Sequence, residues 1–424
     1  MVSAVTSSFI GLARTVALSD GASDMAFVIV SHPMGMIAKE AIEAKAVKAF
    51  PDILNAATET PPVVQSKSGR GSYPAERLNV SGSHADINNL FFDKGWSLGT
   101  PIILPAVSDV KRMLGGTSRK PDEVLGKVPP RMGTLTVELV AAYAVMAGCK
   151  PEYMPLLIAT MEALLTPEVN WGAGLATTAT SETVVIVNGP VIERIGLACE
   201  QGAAGKGHRA NASIGYAINL IAYVVGGSKP PSVDKSTLGG PGDFVCWTFG
   251  ENESRLPPGW QPLHVDRGFK KFDSVVTALN TYPPVENIDH WSVTAEEHLS
   301  WWTHLINPVM SIGGPCNLLT MEKNPVVALG PEHAQLIASA GWSKERFRQL
   351  LWEQVRIPVS VWPAGCRDTN ELAEKLGPLT SESLIPITHR PEQFLVVIAG
   401  GDGKQSHYFP QFPPSLAASR LVIE

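Results

Sequence analysis

Hydrophobic positions along this chain follow two periods. Short β-branched runs are separated by longer stretches with helical spacing. Phe27–Val30 reads as a short buried strand, followed by Ser31-His32-Pro33-Met34-Gly35 and an alanine-rich helix to about Phe50. Strand, tight turn and helix are the parts of an α/β layer, in which ligands bind beyond the carboxyl ends of strands, where His32 falls. Few residues precede Phe27, so the segment reads as the tail of an α/β domain whose front is missing. Residues 60–130 are polar and irregular, with turn clusters at Ser68-Gly69-Arg70-Gly71 and Pro129-Pro130. They read as an extended arm with one helix at Asp109–Leu114.

From Thr136 the pattern becomes regular. Helices are predicted over Val137–Ala147, ended by Gly148, and over Met154–Leu165 with Pro155 in the first turn. The strand Thr183–Val187 runs into Asn188-Gly189-Pro190, and the helix Asn211–Val225 precedes the loop Gly226–Gly242 and a strand at Phe244–Phe249. Ser274–Leu279 reads as a strand and Ala295–Ile306 as a helix. The last block holds strand Val326–Leu329, helix Glu332–Ser339, a Ser343-capped helix to Val355, and strand Phe394–Ile398 entering Ala399-Gly400-Gly401-Asp402-Gly403. The alternation implies an α/β, multi-domain chain with mixed or parallel sheets flanked by helices. Expected units are 1–58 as the α/β fragment, 59–130 as arm or linker, and 131–285 and 286–424 as α/β domains. No internal repeat of short period is visible.

Composition narrows the function classes. The 424 residues are 44% hydrophobic and only 17% charged, which suits a chain that hides surface in an oligomer or against a partner. The net charge is −6 and no Lys/Arg-rich run occurs, so nucleic acid is not an expected partner. Five scattered cysteines form no CxxC or Cys/His spacing, which argues for a reducing, cytoplasmic setting. The most apolar stretch, Ile214–Val225, is too short to span a bilayer and contains Asn219, so no membrane association is expected.

The richest candidate chemistry lies at Gly196–Val225. There Gly202, Gly205 and Gly207 lead to His208, Arg209 and Asn211 at a helix start. Small residues admit close backbone approach and a helix N-terminus favours anions, so His208, Arg209 and Asn211 are expected to bind an anionic group. Cys149 sits beside Lys150, with Glu152 following; a neighbouring ammonium favours thiolate, which makes Cys149 a candidate nucleophile and Lys150 a pocket wall. Thr177 and Thr178 lie in a hydroxyl-rich loop suited to a polar ligand. Glu251 and Glu253 end a strand, where a general base belongs, with His264 close in sequence. A metal set of Glu251, His264 and His208 matches no recognised spacing, so no metal is assigned. Cys316, in Gly313-Gly314-Pro315-Cys316-Asn317, is a second thiol, and Lys404, Ser406 and His407 follow the last glycine loop. No P-loop, GxGxxG or GxSxG pattern appears, so no nucleotide cofactor and no Ser/His/Asp triad is supported.

The segment VIVSHPMGMIAKEAIEAKAVKAFPDIL resembles the final strand and helix of UGSC-type (seleno)protein domains, small α/β domains that carry a selenocysteine- or cysteine-containing U/C-G-S-C motif. Longer relatives continue with blocks similar to MAGCKPEYMP, HRANASIGYA and PEHAQLIASAGWSKE…VVIAGG. No Cys-Gly-Ser-Cys occurs in this chain. The resemblance therefore implies the large subunit of a split enzyme whose small UGSC-like partner supplies the thiol or selenol. It implies thiol-related or redox chemistry, and carries over His32 as the residue ending the last strand, without a catalytic role. Three functional expectations follow. The first is such an enzyme subunit acting on a small polar or anionic molecule, with Arg209→Ala inactive. The second is a thiol-independent lyase or hydratase. The third is a scaffold subunit anchored by Trp291, Trp301 and Trp302.

Overall fold

The computed structural model describes residues 2–19, 22, 24–34, 37–58, 73–312, 322–361 and 377–423. The chain is α/β, with open sheets flanked by helices. No described helix is long and apolar enough to cross a membrane.

The N-terminal unit is a βαβα arrangement: β1 (Val2–Thr6), α1 (Ile10–Ser19), β2 (Ala26–Val30) and α2 (Lys39–Thr58), with β1 and β2 parallel. The few residues before Phe27, read from sequence as leaving the domain without its front, supply a strand and a helix. The expected arm holds α3 (His84–Asp93), whose Ser83 and Asp86 form a capping box, the predicted helix as α4 (Val107–Leu114), and β3 (Val124–Val128), which pairs as a hairpin with β4 (Gly133–Thr136) just beyond it.

Two layered halves follow. Helices α5 (Val137–Met146), α6 (Met154–Leu164) and the single turn α7 (Trp171–Gly174) lead to β5 (Glu182–Asn188), and then come α8 (Val191–Ile195), α9 (Arg209–Val224), β6 (Trp247–Gly250), α10 (Leu263–Asp266), β7 (Val275–Thr281) and β8 (Val285–Ile288). The second half runs α11 (Ala295–Ile312), β9 (Val326–Leu329), α12 (Pro331–Ser339), α13 (Lys344–Gln354), the small pair β10 (Arg356–Pro358) and β11 (Leu384–Pro386), then β12 (Leu395–Ile398), β13 (Gln405–Phe409) and β14 (Ala418–Leu421). The predicted strand at Phe244 starts later, because Pro241–Asp243 forms a 3-10 turn that Phe244 ends.

Period-2 alternation explains the layering. Val184 and Ile186 of β5 meet Val326, Ala328, Leu395 and Val397 across a buried sheet–sheet interface. Their neighbours Val185 and Val187 face α5, α6 and α9, while Val327, Leu329, Val396 and Ile398 face α11, α12 and α13. The order is helices, sheet, sheet, helices. Strands buried on both faces are apolar through their middle, which is why Val184–Val187 of β5 and Val326–Leu329 of β9 read as continuous runs.

The two sheets repeat one another. The first has the order β14-β7-β5-β6 and the second β8-β13-β9-β12, each with one parallel pair (β5/β6, β9/β12) beside an antiparallel strand. Registers agree residue for residue. Val184 pairs Trp247 and Leu279, and Val326 pairs Leu395 and Phe409; Ala418 pairs Ala278, and Val285 pairs Tyr408. The outermost strand of each sheet comes from the other half. A bridge between Thr281 and Gln411 marks the pseudo-two-fold axis, flanked by Tyr282 N–H donating to Pro410 O at 2.7 Å and Phe412 N–H donating to Asn280 O at 3.2 Å. In sequence the repeat survives as Val187-Asn188-Gly189-Pro190 and Leu329-Gly330-Pro331.

Candidate functional site

A cavity of about 420 Å³ opens between the sheets beyond β6 and β12. The loop Gln201–Gly205 and the loop Ala399–Gly403 converge on it, two glycine-rich segments far apart in the chain. The first is held by Asn211, whose Oδ1 accepts from Ala198 N–H (2.9 Å) and whose Nδ2 donates to the carbonyls of Ala198, Ala203 and Thr248 (3.0 Å each). The second is joined to it by Gly400 N–H donating to Cys199 O at 2.9 Å. The loops approach closely at Gly401, where a Cβ would stand 2.1 Å from Gln201 Oε1 and 3.1 Å from Gln201 Cα, so a side chain there would displace Gln201.

Aromatic rings form the wall. Phe409 packs edge-on to Trp247 (5.6 Å) and stacks on Phe249 (6.1 Å), and His407 lies 6.3 Å from Phe409. Trp247 is fixed by donating Nε1–H to the buried Glu182 carboxylate at 2.6 Å. His407 is half-buried, and no hydrogen bond engages its ring among the described residues. Burial pushes its imidazole below the usual range, partly offset by Glu286 across the strand pair, so it is neutral near pH 7. Neither Lys nor Arg lines the cavity; Asp402 does, and pairs with Arg255 outside it at 2.6 Å.

Several residues singled out from sequence sit elsewhere. Arg209 is no part of the cavity lining: its Nε and Nη2 donate to Gly148 O at 3.0 and 2.9 Å, clamping the turn after α5. His208 caps α9 by its backbone, and Asn211 spends its whole amide on the loop. The expected thiolate at Cys149 is corrected. The residue is packed in the core, and burial pushes its thiol up to about 12 despite Arg209 nearby. Lys150 pairs instead with Glu152 at 3.6 Å, both exposed. Thr177 Oγ1 accepts from Ala179 N–H and Thr178 O accepts from Thr237, so that loop is tied to residues 236–242, and neither threonine lines the cavity. Glu251 is a buried tie between halves. It accepts from Asn188 Nδ2 (2.6 Å), Leu263 N–H (2.7 Å) and Ile398 N–H (3.3 Å), and burial pushes its carboxyl up. Cys316 lies outside the described residues. Trp302 is a core residue, whereas Trp291 and Trp301 are exposed and stack on each other at 6.2 Å.

Glu251, His264 and His208 do not bring ligand atoms within sharing distance. Among the described residues that geometry occurs only at Asp289, His298 and His333, a group without a sequence signature. These buried groups do not fit a metal, because hydrogen bonds occupy every ring nitrogen. His298 Nδ1–H donates to Asp289 Oδ2 (2.6 Å) and its Nε2 accepts from Trp302 Nε1–H (3.0 Å). His333 Nε2–H donates to Asp289 O (3.0 Å). Its Nδ1 accepts from Ser406 Oγ–H (2.7 Å), whose oxygen takes the Gly330 N–H (3.0 Å). Burial lowers His298 to about 4 while the donors around Asp289 bring its carboxyl to about 2. Ser406 borders the cavity, but its Oγ is engaged by His333 and Gly330 N–H, so the Ser406–His333 pair acts as a buried tie to α12.

The N-terminal unit stands apart from all three cores, none of which contains a residue of 2–58. His32 is exposed at the end of β2, its Nδ1 3.2 Å from Thr6 Oγ1. Residues 1–59 match the UGSC family model. No curated protein and no solved structure matches the chain. The UGSC-type unit leaves apolar side chains bare: Ile29 on β2, and Val47, Phe50 and Leu54 on one side of α2, each more than half exposed. A monomer seldom exposes such a stripe.

Proposed function

We propose that this chain is an enzyme subunit that holds a small molecule between its two sheets and moves a proton on it with His407. One observation carries this reading: a neutral, half-buried imidazole faces a cavity and has no protein partner among the described residues, whereas His298 and His333 have both nitrogens bonded. Such a group accepts a proton from a bound substrate and returns it. The reaction class is proton transfer of the lyase or hydratase kind, independent of the three described thiols. Burial pushes Cys149 and Cys246 to about 12 and raises Cys199 too, so these thiols are protonated.

A second reading, thiol or redox chemistry with a small partner subunit, is favoured by the UGSC match and the bare faces of β2 and α2. The thiol would then come from the partner. Ligands of the cavity can be found by native mass spectrometry and thermal shift with a panel of small polar metabolites. Turnover of the ligand so identified should fall by about 100-fold or more in His407→Gln at unchanged melting temperature. Full turnover in that variant would sink the assignment. For the partner reading, Phe50→Glu should abolish co-elution with a UGSC-type subunit; co-elution that survives it refutes docking through α2.

A further inference from the structure

We infer that the ligand of the inter-sheet cavity carries a flat, delocalised positive charge, as in an amidinium or guanidinium group. The inference rests on the cavity being the binding site, and its carrying observation is the repeat itself. In the first half, residues 251–274 connect β6 to β7, and this connection lays α10 against β7 and β12. Arg267 at its end covers the inner face of the β7/β14 pair. Its Nε donates to Ser419 Oγ at 2.5 Å and its Nη2 to Ala417 O at 2.8 Å, with Thr277 Oγ1 2.8 Å from Ser419 Oγ. In the second half only residues 399–404 connect β12 to β13, and among the described residues no Lys or Arg lines the cavity at the corresponding place.

Matching registers identify what the empty counterpart offers. Thr277 corresponds to His407, and Ser419 to Glu286, because Thr277 pairs Ser419 as His407 pairs Glu286. A hydroxyl pair that already receives an arginine is thus replaced, on the same sheet face, by an imidazole that lines the cavity and an exposed carboxylate next to it. Phe409, Trp247 and Phe249 add ring faces that attract a planar cation. The lining contains one acid, Asp402, and no Lys or Arg. A carboxylate ligand would meet Asp402 in the lining, and Glu286 beside His407 outside it, with no Lys or Arg in the lining to receive it. Arg209, the basis in sequence for an anionic substrate, lies outside the cavity lining and donates to Gly148 O.

Benzamidine, benzamide and benzoate are near-isosteres that differ in charge, and calorimetry with the full chain at pH 7.5 discriminates among them. Benzamidine should bind about tenfold or more tightly than either analogue, and quench Trp247 emission relative to a Trp247→Phe control. The exposed Glu286→Gln change should erase most of that preference without altering the melting temperature. Equal or tighter binding of benzamide or benzoate, no binding of benzamidine, or a preference untouched by Glu286→Gln each overturns the charge assignment. Ala328→Leu, which fills the cavity, separates this from the broader reading. Benzoate binding that Ala328→Leu abolishes leaves the cavity as the site and refutes only the charge. Ligand binding indifferent to Ala328→Leu refutes the cavity itself.

Discussion

The rings of Tyr282 and Phe412 lie 5.5 Å apart at a tilt of 58°, at corresponding positions of the two halves. They sit beside the crossed hydrogen bonds that join Tyr282 to Pro410 and Phe412 to Asn280. Their contact is therefore made between halves. In a double-mutant cycle of Tyr282→Ala and Phe412→Ala, denaturant melts should return a coupling of about 0.5–1.5 kcal/mol. Additive losses would mean that the ring pair holds nothing together.

Asn211 is the keystone of the first cavity loop. Asn211→Ala leaves three carbonyls and one N–H without their partner, and should cost about 2–4 kcal/mol in urea melts. Asn211→Asp is expected to be worse near pH 7, because a carboxylate would face those carbonyls. Its folded-state pKa is then raised above the unfolded value, so the deficit relative to wild type should shrink as pH falls through that raised value. A deficit constant with pH would contradict the geometry.

Arg209 and Cys149 are predicted to be structural. Arg209→Ala should cost about 1 kcal/mol through its two bonds to Gly148 O, and leave ligand affinity in the cavity unchanged. Native Cys149, held near 12, should resist iodoacetamide at pH 8 and react only on unfolding, as peptide mapping will report. Rapid native labelling would restore it as a nucleophile.

Acid should unfold the second half first. His298 falls from its ordinary 6.5 to about 4 because burial disfavours the imidazolium, and burial lowers His333 and His407 too. A depressed folded-state pKa means that the unfolded chain binds the proton more readily. Stability is then full above pH 6.5 and declines toward pH 4. For His298 the shift is worth on the order of 3 kcal/mol at the bottom of that window. Asp289, lowered to about 2, contributes nothing to the change over that range. Hydrogen exchange in α11 and α12 between pH 7 and 4 measures it, and flat protection would refute it.

Much of the fold was legible in the sequence. Buried strands with β-branched runs and well-capped helices announce themselves locally, and Val326–Leu329, α6, α9 and α13 lie within a residue or two of where the pattern puts them. The strands that escaped notice include β8 and β14, four residues each with two adjacent polar residues in the middle and no apolar run or alternation to announce them. Their exchange between halves is a long-range event with no local signal. The site was legible only in pieces. The loops around Gly202 and Gly401, and His407, stood out by glycine content and position, yet nothing local says that they meet. Arg209 misled because its partner carbonyl, Gly148, lies 61 positions away in the chain.

The unequal connections of the two halves have one more consequence. Whether a cavity stands open between the sheets depends in this architecture on the length of a surface link as well as on the strand side chains that line it. A few residues inserted within 399–404 could close the site, and deletions within 251–274 could open a second one, with both sheet interiors left as they are. Selection can thereby open or close the site through the link alone, without endangering the stability held in the strands.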